Sequence, residues 1–86
     1  MAKLIVLANT SWPKPFECYT LIDSQDRYVG TIGRNHKIES EFSIQLFDVE
    51  EANSSWATVK RPQPIYVDSF ATVDECVAAA ASFLAD

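Results

Sequence analysis

The sequence predicts an α+β fold: an antiparallel sheet of five or six strands with one C-terminal helix packed on one face. Three observations carry this. Residues 41–48 alternate cleanly, with Phe42, Ile44 and Leu46 on one side and Glu41, Ser43 and Gln45 on the other. That is the period of a half-buried antiparallel strand. Residues 16–23 and 27–32 are two runs of strand formers separated by a polar turn signal. Thr72-Val73-Asp74-Glu75 is a capping box, followed by apolar residues at helical spacing. Strands first and a helix last place the helix across one sheet face.

The elements follow in chain order. Leu4-Ile5-Val6-Leu7-Ala8 is a continuous apolar run closed by Asn9-Thr10-Ser11, read as a central strand buried on both faces. Trp12-Pro13-Lys14-Pro15 is a stiff linker, because each proline restricts itself and the residue before it. Residues 16–23 place Phe16, Cys18, Thr20 and Ile22 on one face and Glu17, Tyr19, Leu21 and Asp23 on the other. The turn around Ser24-Gln25 lacks Asn-Gly or Asp-Gly, which favours a four-residue type I connection over a two-residue one. Gly30 inside the return strand marks a bulge or a close approach of a neighbour.

Residues 48–55 are polar and acidic and read as a long loop, with room for one helical turn. Residues 56–60 read as a further strand, broken by Arg61-Pro62-Gln63-Pro64. Ile65-Tyr66-Val67 is then a short strand whose neighbouring prolines argue for the sheet edge. In the helix, Val73, Cys76, Val77, Ala80, Phe83 and Leu84 share one face, and Ala78 to Ala81 allow close approach to the sheet. Residues 65–75 resemble the strand-to-helix corner of the three-stranded AP2-type DNA-binding domains. That family's arginine-rich strands have no counterpart here, so no DNA-contacting residue carries over.

The totals narrow the function. The chain has 86 residues, the size of one domain, with 48% hydrophobic and 22% charged residues. Twelve acids against seven bases give a net charge of -5. That speaks against a general duplex-DNA binder and against docking on an anionic membrane, since both need excess Lys and Arg. No apolar run approaches the ~18 residues of a membrane span. The N-terminal run is too short for a signal peptide, so a cytoplasmic location is expected. Cys18 and Cys76 are then expected to be reduced, core-facing thiols, with a disulfide between them left open.

Catalytic and metal motifs are absent from the sequence, and no cofactor is expected. The single histidine, His36, lies in a polar stretch away from both cysteines, so a Cys-His pair is not expected. No Cys-x2-Cys or His-Glu-x-x-His spacing occurs. The leading expectation is a non-catalytic protein-binding module, an inhibitor or an adaptor. It would use the exposed sheet face and the acidic residues Asp48, Glu50, Glu51 and Asp68 toward a cationic protein partner; a homodimer joined through the sheet also fits. The alternative is a nucleic-acid module built on a local basic patch of Arg27, Arg34, His36, Lys37, Lys60 and Arg61. A third reading, an enzyme or small-ligand domain, has no motif in its favour.

Overall fold

The computed structural model describes residues 3–9, 14, 16–54 and 63–84. The linker residues Trp12, Pro13 and Pro15, the expected strand at 56–60, and both Lys60 and Arg61 lie outside the described residues. Five strands form one antiparallel sheet: β1 (Leu4–Ala8), β2 (Phe16–Asp23), β3 (Tyr28–Asn35), β4 (Phe42–Phe47) and β5 (Pro64–Phe70). They lie side by side in chain order. A one-turn helix α1 (Val49–Ala52) follows β4, and α2 (Val73–Leu84) closes the described chain. The α+β class and the C-terminal helix are as the sequence predicts.

The core lies between the sheet and α2. Leu21, Ile32, Ile44 and Leu46 are fully buried, joined by Val29 and Phe42 and by Cys76 and Ala80 of the helix. Each fully buried aliphatic side chain contributes roughly 1.5–3 kcal/mol relative to exposure. Cys76 and Ala80 are one helical turn apart, and Val73, Val77 and Leu84 pack beside them. Phe83 reaches β5, its ring 4.8 Å from that of Tyr66. The helix begins where the capping box predicts, with the Glu75 amide donating to Thr72 Oγ1 at 3.1 Å. The return contact differs: Glu75 Oε1 accepts from the Thr72 hydroxyl at 3.2 Å, not from the Thr72 backbone amide.

Three expectations are corrected. First, β1 is a marginal strand among the described residues, not a central one. Its burial alternates: Leu4 and Val6 pack against the core while Ile5 and Leu7 are exposed on the opposite face. Second, β2 turns Tyr19 and Leu21 inward, so Glu17 and Asp23 are on the helix side and Phe16, Cys18, Thr20 and Ile22 face away from it. Cys18 is therefore not a core thiol. Cys18 and Cys76 sit on opposite faces, and both are free. Third, residues 33–35 belong to β3, which runs three residues beyond the predicted end at Ile32.

The β2–β3 connection spans the four residues 24–27. The Asp26 amide donates to Asp23 O at 3.1 Å, and Asp26 itself takes φ 60. This left-handed residue after a type I turn restores the strand direction. Farther along, Leu21 pairs with Gly30 but Ile22 pairs with Tyr28, so Val29 is an extra residue on β3. The bulge turns Val29 into the core. Gly30 beside it has no room for a side chain: a Cβ would stand 2.3 Å from Gln45 O and 2.8 Å from Leu46 Cδ2. Both readings of Gly30 thus hold, a bulge and a close backbone approach.

Candidate interaction surface

The sheet has two faces of different character, set by the period of 2 along each strand. The inner face meets α2. Register assigns to the outer face Ile5 and Leu7 of β1, and Phe16, Cys18, Thr20 and Ile22 of β2. Thr31, Gly33 and Asn35 of β3, Ser43 and Gln45 of β4, and Val67 and Ser69 of β5 lie on it too. None of these strand residues is charged; the exposed Glu41, one residue before β4, continues the alternation at the rim. The apolar members are open to solvent at the margins: Ile5 is 40% exposed, Leu7 48% and Val67 59%. Thr31, Ser43 and Gln45 occupy β3 and β4, and β2 sets the apolar Phe16, Cys18 and Ile22 beside Thr20. From the alternation alone this face would carry Glu17 or Tyr19, Arg27, Glu41, Ser43 and Gln45; Ser43 and Gln45 are on it, whereas Arg27 lies in a turn and Glu17 and Tyr19 are on the helix side.

Tyr28 and Phe47 stack at one end of the sheet, centroids 5.9 Å apart. Burial pushes the Tyr28 phenol above its usual range, with the nearby Cys18 adding in the same direction and a hydrogen bond with Thr31 opposing. Toward the other end, a groove of about 310 Å³ is lined by Phe16, Cys18, Lys14 and His36, among others. Cys18 and His36 share this groove, but the histidine sits on an exposed turn.

The described residues of the expected basic patch fall at the two ends of β3. Arg27 stands at one end of β3, in the turn, where its Nε donates to Asp23 Oδ2 at 2.9 Å. Arg34, His36 and Lys37 lie at the other end of that strand. Arg34 is a strand residue, not a loop residue. Its Nε donates to Glu17 Oε2 at 2.5 Å, its Nη1 reaches Ser40 O at 3.3 Å, and its guanidinium lies 4.1 Å over the Phe42 ring. An arginine held by a carboxylate, a carbonyl and an aromatic face is committed to closing the core edge. His36 and Lys37 are exposed in a turn organised by Asn35, whose side-chain oxygen accepts from the Lys37 amide at 3.1 Å.

The acidic residues divide by role. Asp48 caps α1, its Oδ1 accepting from the amides of Glu50 and Glu51 at 3.1 and 3.0 Å. Glu50 and Glu51 are exposed in that first turn, where carboxylates complement the helix dipole. Asp68 is on β5, accepting from the Tyr66 hydroxyl at 3.0 Å. The four acids do not form one cluster: Asp48, Glu50 and Glu51 share the α1 turn, and Asp68 is on the strand beyond.

No protein family, no curated protein and no solved structure matches this chain. The arrangement itself is what informs function. Among the described residues no group of three His, Cys, Asp or Glu side chains converges as metal ligands, and no helix is long and apolar enough to cross a membrane. The outer face was legible in the alternation of residues 41–48. Its content on β1 and β2 was not, because both strands carry apolar residues on both sides.

Proposed function

We propose that this protein is a small acidic binding module of the cytoplasm that acts without catalysis, and that its working surface is the outer face of the sheet. One observation carries the reading: a sheet face whose strand residues carry no charge, with Ile5, Leu7, Phe16 and Val67 open to solvent. Large exposed apolar areas on one face mark protein contacts. The nucleic-acid reading loses support from Arg27 and Arg34, both of which are paired with carboxylates.

A photo-crosslinking residue in place of Gln45, in the middle of the face, tests this in the native host lysate. A covalent protein adduct is the expected result. The same probe in place of Ser82, exposed on α2, is the control and should give none. Absence of any adduct at Gln45 would remove the proposal.

A further inference from the structure

The molecule carries a net charge of -5, yet the strand residues of the outer face include no acid and no base. A cationic partner would find nothing to pair with there. A partner that presents charge to this face would bury it without compensation, at a cost of several kcal/mol per ion. The face therefore selects a contact surface that is itself uncharged.

Area and pattern point the same way. Five strands at ~4.8 Å spacing and about six residues at ~3.3 Å give a face on the order of 500 Å² in projection. Stable interfaces bury about 800 Å² of accessible surface per partner. Nearly the whole face must then be covered, which an extended peptide cannot do and an opposed sheet can. Apolar residues stand on β1, β2 and β5, with the hydroxyl and amide side chains of Thr31, Ser43 and Gln45 on β3 and β4. A two-fold axis across the strands sets each strand over its own copy. Apolar then meets apolar and amide or hydroxyl meets its like, as a self-complementary interface requires.

We infer that the outer sheet face is a self-association interface, and that two copies of this chain pack sheet against sheet as a homodimer. This rests on the reading of that face as the binding surface and names its partner.

Sedimentation velocity on the full chain, from about 1 to 500 μM, reads the equilibrium directly. The expected result is a species of twice 9.6 kDa that persists or tightens as salt is raised, because screening relieves the repulsion between two acidic bodies. Leu7→Asp and Val67→Asp should each raise the dissociation constant by at least ~100-fold, since each puts a charge and its symmetry copy into an apolar margin where nothing compensates them. Lys37→Asp, on an exposed turn, should leave it unchanged. Circular dichroism checks folding, and if Leu7→Asp does not fold, the more exposed Val67→Asp decides. A monomer throughout, a dimer that both variants leave intact, or one that salt dissolves would overturn the inference. A monomer that still gives an adduct to a different protein at Gln45 overturns the homodimer alone; a monomer with no adduct overturns the binding surface as well.

Discussion

The side-chain amide of Asn53 pairs with the backbone of Tyr28 as a neighbouring strand would. Its Oδ1 accepts from the Tyr28 amide at 3.0 Å, and its Nδ2 donates to Tyr28 O at 2.8 Å and to Val49 O at 2.6 Å. β4 has already turned into α1 at this point, so β3 would otherwise lose its partner. One side chain thus continues the ladder and closes the C-terminal end of α1. Replacing Asn53 by Ala removes all three bonds. The expected loss is about 1–2 kcal/mol, because water can reach the site and recovers part of the deficit. A urea midpoint equal to that of the parent protein would show that the pairing contributes nothing.

Gly30 and Gly33 are both on β3 but differ in what surrounds them. A Cβ at Gly30 meets backbone and a core leucine, whereas at Gly33 its nearest neighbour is Glu17 O at 3.2 Å. Gly30→Ala should therefore cost roughly 2–4 kcal/mol, since β4 must move to admit it. Gly33→Ala should cost less than about 1 kcal/mol, offset by the reduced freedom of the unfolded chain. Denaturation of the two variants side by side checks the order, and equal losses would contradict the register between β3 and β4.

The two thiols should differ in reactivity. Cys76 is fully buried, and burial, followed by the charges of Glu75 and Asp68, holds its thiol protonated above the usual range. Cys18 is partly exposed on the other side of the sheet. An aromatic disulfide reagent should titrate one thiol in the native protein and the second only after unfolding. Two thiols reacting at one rate would return Cys18 to the core.

Stability should depend on Asp23 at low pH. The Arg27 amide, then the Gln25 amide and the Arg27 guanidinium, hold the Asp23 carboxyl below its ordinary value, against a smaller opposing effect of burial. The folded pKa is the lower one, so the unfolded chain takes up the proton first. The contribution is complete above about pH 4 and is lost as pH falls through the folded pKa. Asp23→Asn should destabilise the protein at neutral pH, and the gap between the two urea midpoints should close below pH 4. A gap independent of pH would mean that the carboxylate charge is not what the turn uses.

Much of the architecture was legible because local chemistry and tertiary structure agree. The alternation of residues 41–48 became β4 with Phe42, Ile44 and Leu46 inward, and the Thr72 cap became the start of α2. Pro64 opens β5, which stands at the end of the described sheet as the prolines predict. Residues 48–55 were harder. Asp48 is a sufficient N-cap for one helical turn, but so short a helix is held by Asn53 and its contact with β3, which no local pattern encodes.

Which side of β2 faces the helix was decided by the tertiary structure alone. Tyr19 and Leu21 on one side and Phe16, Cys18 and Ile22 on the other are nearly equal in apolar content. Period 2 then defines two faces without ranking them. Pairing with β3 ranks them, because Ile32 must lie beside Tyr19, and with it Leu21, under the helix. The same holds for β1, whose apolar run reads as a buried centre and serves as a margin with Ile5 and Leu7 outward. The sequence determined that antiparallel strands precede one helix, where that helix begins and that the body is acidic. Only the packed sheet decided that its second face would be left without charge, because that face is assembled from residues on five strands whose alignment is a matter of register.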